Sequence, residues 1–199
     1  MFVKICGLTT SAAIETAVEA GADALGFVFA KSPRQVTPEQ ADALIAAAPD
    51  DITTVAVMLH PSQEEVDAVF TGFDPEWLQT DAADFDDLLI DKTAEILPVF
   101  RSGPSAVKDV LGMTADYEGP LLFESGVSGQ GEVADWEQAA EIASQRMLML
   151  AGGLSPDNVA KAVEQVRPWG VDVSSGVESE RGVKDLGLIK AFIQAARSV

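Results

Sequence analysis

The chain has 199 residues, 47% of them apolar, and carries thirteen Lys and Arg against thirty-two Asp and Glu, a net charge of −19. That length suits one domain with a sizeable core, 1–199, and is short for two; the acid surplus excludes nucleic acid and anionic membranes as partners, since both require a basic surface. One cysteine cannot close an internal disulfide; with no export signal and no apolar run of ~18 residues, a cytoplasmic protein is expected.

Strand-like runs then alternate with helical patterns along the whole chain. "FVKIC" precedes a helical pattern over 10–21, and "ALGFVF" precedes one over 37–48 that opens with Thr37-Pro38-Glu39, a cap residue before a proline suited to the first helical position. "TTVAVML" leads into a helix over 62–73. "EWLQT" is followed by 85–94, which reads either as a short helix or as a turn with a fragment. "ILPVF" leads to 105–113, "PLLFES" to a Gly-rich loop and then 135–145. "MLMLAGG" leads to a pattern whose Ser155-Pro156-Asp157 predicts a second capped start, and "GVDVSSG" leads to a helix over 183–196. The strands are short and mostly apolar, as in a parallel sheet covered on both faces. Eight strand–helix units in this length predict an α/β fold, a single (β/α)8 TIM barrel. An open doubly wound sheet is the alternative, disfavoured because no G-x-G-x-x-G follows the first strand.

In such a barrel chemistry sits at the C-terminal ends of the strands. Polar residues at those ends include Cys6, 31–34, His60, 79–81, Arg101, Glu124 and 172–176. Alternation places Lys4 with Cys6, Leu122 with Glu124 and Asp172 with Ser174 on shared, inward faces. Two glycine-bearing ends, "LAGGLSPDNV" and "DVSSGVE", occupy the seventh and eighth slots, where backbone amides and a helix N-terminus commonly hold phosphate. Such a site would let an acidic protein bind an anion through local dipoles. Cys6 is either a small buried hydrophobe or a reactive thiol, with Lys4 placed to lower its pKa from about 8.5. Lys4 alternatively pairs with Asp172 across the first and eighth strands. Glu124 is either a rim carboxylate or a general acid in an apolar setting; Arg34 is a surface charge or a fork for a carboxylate; His60 reads as a turn residue. One histidine excludes a multi-histidine metal site.

Taken in order, "KICG", "GADALGFVFAKSPRQV", "LLFES", "LAGGLSPDNV", "RPWGVDVSSGVE" and "KDLGLIKAFI" resemble the phosphoribosylanthranilate isomerase family of tryptophan biosynthesis, from the first strand to the last helix. The resemblance implies a cofactor-free Amadori rearrangement of a small phosphorylated substrate. It assigns Cys6 as general base, Glu124 as general acid, Arg34 to the anthranilate carboxylate and Asp172 to polar substrate groups. Backbone around Gly153, Leu154, Ser175 and Gly176 would take the phosphate. The family usually carries aspartate at Glu124 and "QLHG" where this chain reads "WLQTDA". Its frequent lysine after strand six is Glu132 here. Two further readings are another phosphosugar enzyme on the same barrel and a non-catalytic phosphosugar-binding barrel. The scattered acidic residues suggest adaptation to high cytosolic salt, a halophilic protein whose self-repulsion is screened. Nothing in the sequence reads as a dedicated interface, and a monomer is expected.

Overall fold

A strand pairs in parallel with its predecessor only after a crossover, and each helical pattern in this chain supplies one. A computed structural model describes residues 1–46, 48–49, 51–90, 94–126 and 133–199. The strands are β1 (Phe2–Cys6), β2 (Ala24–Val28), β3 (Thr53–Val57), β4 (Trp77–Asp81), β5 (Glu95–Arg101), β6 (Leu121–Glu124), β7 (Leu148–Leu150) and β8 (Gly170–Val173). They form a closed parallel barrel in sequence order, with β8 paired back onto β1. Among the described residues the α-helices are α1 (Ser11–Ala20), α2 (Pro38–Ile45), α3 (Gln63–Gly72), α4 (Ala106–Met113), α5 (Trp136–Ala143), α6 (Val159–Val166) and α7 (Leu186–Ala196). None is long and apolar enough to cross a membrane.

Local chemistry fixes most helix starts. Thr37 accepts from the Gln40 amide and Gln40 reciprocates to Thr37, with Pro38 opening α2 as predicted; Ser62 and Glu65 form the same box at α3. Asp135 and Asp185 cap α5 and α7. The expected start at Ser155 is displaced. There 156–158 form a turn and α6 begins at Val159, because the Asn158 side chain folds back, accepting from the Ser155 amide (2.8 Å) and donating to the Gly153 carbonyl (2.8 Å). The 85–94 segment gives no α-helix among its described residues, only a 3₁₀ turn over Ala82–Asp86; 91–93 lie outside the described residues. Residues 183–184, expected in the last helix, instead form β10 (Val183–Lys184), antiparallel to β9 (Glu178–Glu180) in a hairpin above β8.

The register separates two cores. Outward residues such as Ile5, Leu25, Ala56, Leu78, Phe123, Leu150 and Val171 pack under the helices. A second cluster, Leu97, Val99, Leu122, Met149 and Ala151, fills the barrel interior and packs on Phe2, Trp77 and Trp169. These three rings stack as a floor at the N-terminal end of the strands, Phe2 with its centroid 4.5 Å from Trp169 and 5.6 Å from Trp77. Above that floor the inward positions turn polar.

Candidate active site

Cys6 and Lys4 project inward from β1, Asp81 from β4, Arg101 from β5, Glu124 from β6 and Asp172 from β8, each two or four residues along from an apolar or aromatic inward residue or in register with one. Five of these six residues line one cavity of about 270 Å³ at the C-terminal end of the barrel, shared with Lys31, Arg34, Ser174 and Arg181; Lys4 lies beneath it, fully buried. Cys6 and Glu124 come from strands three steps apart round the barrel, so a ligand in the cavity is approached from two sides. Four cations and three carboxylates line the cavity, an excess of positive charge within a chain of net −19. That local inversion lets an anion enter against the overall field.

Lys4 donates to Asp172 at 2.7 Å, the cross-strand pair that the sequence offered as its alternative role. Burial alone would lower the Lys4 pKa, but the Asp172 carboxylate beside it raises it, so the ammonium is retained. Cys6, 6% exposed, departs from expectation. Burial pushes its thiol up, and this outweighs the lowering by Lys4, whose charge is already spent on Asp172. Burial thus disfavours the Cys6 thiolate in the free protein.

Glu124 does not sit in an apolar setting. Arg101 Nε lies 3.2 Å from its Oε1, while Arg101 Nη1 reaches Asp81 Oδ1 at 2.6 Å. Asp81 in turn approaches Nε2 of His60 at 3.3 Å, and His60 Nδ1 lies 2.9 Å from Asp84. His60 is an exposed turn residue, as read from the sequence, and its hydrogen bond to Asp84 raises its pKa. Position 81, four residues beyond Trp77, thus carries a carboxylate that orders Arg101.

Arg34 is buried, which rules out the surface-charge reading. Its Nε and Nη2 donate to the two oxygens of Glu178 at 2.6 and 2.8 Å. Its stem crosses Gly7 so closely that a Cβ there would lie 2.5 Å from Arg34 Cδ, and Gly7 has φ +74. That contact answers why glycine follows the cysteine: the position must be both left-handed and bare. Glu178 and its second partner, Lys184, were not singled out in the sequence, although Glu178 ends the quoted "RPWGVDVSSGVE" and Lys184 opens the quoted "KDLGLIKAFI". Only the β9–β10 hairpin, invisible as a helix pattern, brings them under Arg34.

Gly153 and Leu154 follow β7, and Ser175 and Gly176 open a 3₁₀ turn after β8. A Cβ on Gly176 would lie 1.8 Å from the Leu154 carbonyl oxygen, so the two loops touch backbone to backbone. Among the described residues, none of these four amides donates to a backbone or side-chain acceptor outside the regular elements. None of the four lines the cavity itself; Ser174, next in line, does. Glu132, after strand six, lies outside the described residues.

Residues 3–195 match the model of the N-(5'-phosphoribosyl)anthranilate (PRA) isomerase family. The chain belongs to this family. It is therefore an enzyme of the aldose–ketose isomerase class. The N-(5'-phosphoribosyl)anthranilate isomerase of Roseiflexus castenholzii is 43% identical over 211 residues, covering 100% of this chain and 99% of its own. The crystal structure of the isomerase from Thermotoga maritima superposes with a TM-score of 0.88 at 32% identity, covering 100% of both chains. A family structure in complex with reduced 1-(o-carboxyphenylamino)-1-deoxyribulose 5-phosphate superposes with a TM-score of 0.81 at 31% identity, again covering 100% of both.

Proposed function

We propose that the chain catalyses the Amadori rearrangement of N-(5'-phosphoribosyl)anthranilate to 1-(2-carboxyphenylamino)-1-deoxyribulose 5-phosphate in tryptophan biosynthesis, with Cys6 as general base and Glu124 as general acid. The observation that carries the assignment is the pair itself: a thiol from β1 and a carboxyl from β6 line one cavity from separated strands. Glu124 delivers a proton to the furanose ring oxygen. The C1′–O bond breaks toward that oxygen, and the anilino nitrogen's lone pair forms the C=N of an iminium. Cys6, in the fraction of molecules that hold it as thiolate with its proton released to solvent, takes the C2′ proton, and the electrons of that bond neutralise the iminium to give an enolamine. Loss of the enol O–H proton with protonation at C1′ completes the ketose. Each proton transfer contributes about 10²–10⁴-fold.

Asp172 is read as binding polar substrate groups with the capacity Lys4 leaves it. Arg34 retains its Nη1–Nη2 edge for the anthranilate carboxylate, since Glu178 occupies only the Nε–Nη2 edge. The amides of Gly153, Leu154, Ser175 and Gly176, on loops in backbone contact and given no acceptor among the described residues, support a phosphate site beside the cavity. The reaction needs no cofactor. A monomer remains part of this reading, and the acid surplus supports a cytosol of high salt.

The test is conversion of phosphoribosylanthranilate, followed by loss of its fluorescence, at low and at molar salt. Turnover is expected, rising with salt. Cys6→Ala is expected to lose about 10²–10⁴-fold in kcat while still binding the reduced product analogue. Folded protein without turnover at any salt, or a Cys6→Ala variant at full rate, defeats the assignment.

A further inference from the structure

Arg34 is a cavity cation whose guanidinium is locked along a full edge by a buried carboxylate. Its side chain is 8% exposed and that of Glu178 is 4% exposed. Glu178 is itself over-determined. Lys184 Nζ donates to its Oε1 at 2.9 Å, and the Gly182 amide donates to its Oε2 at 3.0 Å. Lys184, 2% exposed, also donates to the Ser174 carbonyl at 2.8 Å, which fixes it to the end of β8. Gly182 lies against the Pro33 backbone, where a Cβ would stand 3.0 Å from the Pro33 carbonyl oxygen. The hairpin after β8 and the loop after β2 are thereby closed on each other, with Arg34 between Gly7 below and Glu178 behind.

A bidentate pair fixes the plane of a guanidinium as well as its place. With Nε and one N–H of Nη2 committed, the donors left are both N–H groups of Nη1 and the second of Nη2, a fork in the same plane. A free arginine of this length would spend rotamer entropy each time it bound a carboxylate. We propose that Glu178 is a positioning residue: by holding the Nε–Nη2 edge of Arg34, it presets the opposite edge to receive the carboxylate of the aromatic acid in the substrate. Lys184 balances the Glu178 charge so that Arg34 is not fully neutralised by its anchor. The inference rests on the reading of Arg34 as the substrate's carboxylate partner.

The experiment measures two dissociation constants by calorimetry: for reduced 1-(o-carboxyphenylamino)-1-deoxyribulose 5-phosphate, and for its phenylamino counterpart lacking the carboxyl group. The ratio of the two is the carboxylate preference. Glu178→Gln, which keeps shape and removes charge, is expected to cut that preference about tenfold while leaving affinity for the carboxyl-free ligand unchanged. A merely structural Glu178 would weaken both ligands together, leaving the ratio intact, and that result overturns the proposal. Glu178→Asp, too short to span Nε and Nη2 while keeping Gly182, provides the same ratio should the Gln variant not fold. If the unaltered protein shows no carboxylate preference, the Arg34 reading falls and this inference with it. If Arg34→Met abolishes the preference while both Glu178 variants keep it, only the positioning role falls.

Discussion

The floor and the mouth of this barrel are built by the same alternation on the same eight strands, yet they solve opposite problems. At the floor, Phe2, Trp77 and Trp169 stack and seal the interior with rings that need no partners. Two or four residues beyond Phe2 and Trp77 the inward positions are Lys4, Cys6, Gln79 and Asp81, and Asp172, on β8, follows Trp169; these groups are costly to bury unless paired. The floor is stabilised by area removed from water, the mouth by complementary charge. A change at the floor should therefore be felt in stability alone, whereas a change at the mouth should be felt in both stability and chemistry.

The largest break in that contrast is expected at Lys4, which is fully buried beneath the cavity and paired with Asp172. Lys4→Met leaves Asp172 as an uncompensated charge and should cost about 3–5 kcal/mol in urea unfolding. Adding Asp172→Leu should recover much of that stability but not turnover, which would show that the mouth is charged for chemistry and not for folding. Trp77→Ala tests the floor. It should cost about 3 kcal/mol while kcat/KM at a permissive temperature stays within about twofold; a large loss of kcat would show that floor packing sets the geometry above it. The smallest effect sharpens the comparison through pH. Burial alone would raise the Glu178 carboxyl, but hydrogen bonds from Arg34, the Gly182 amide and Lys184 hold it at about 2, well below its ordinary 4.5. Its folded pKa is depressed, so its contribution is whole above about pH 4.5 and is lost as pH falls through about 2. The contribution is no more than about 3 kcal/mol. Acid unfolding of Glu178→Gln should accordingly show a shallower fall in stability across that range than the unaltered protein.

The same contrast explains what the sequence made legible. The strand–helix alternation, and with it the closed barrel, followed from apolar runs and a cap such as Thr37-Pro38, because those signals are local. The placement of Cys6, Glu124 and Asp172 at inward strand ends also followed, since period-two alternation carries it. What could not be read were pairings made across the chain. Arg101 looked like a strand-end cation, and only register shows it between Asp81 and Glu124. Lys4 looked able to activate the Cys6 thiol, and only the fold shows Cys6 buried and Lys4 already paired with Asp172. Residues 183–184 scanned as helix because Val183 and Leu186 fit a helical spacing, whereas Glu178 and Lys184 draw the segment into a hairpin. Ser155-Pro156 looked like a cap, and Asn158 took the local amide first.

The bare left-handed turn at Gly7 reaches further than its own loop. Because the Arg34 stem lies across it, the first motif of the chain and the loop after the second strand form one mechanical unit, although twenty-seven positions separate them. Neither half is portable. Transplanting the cysteine onto another eightfold scaffold would deliver a thiol without its aromatic-acid receptor unless the glycine and the arginine travelled with it, and drift at either position in this lineage must be answered at the other.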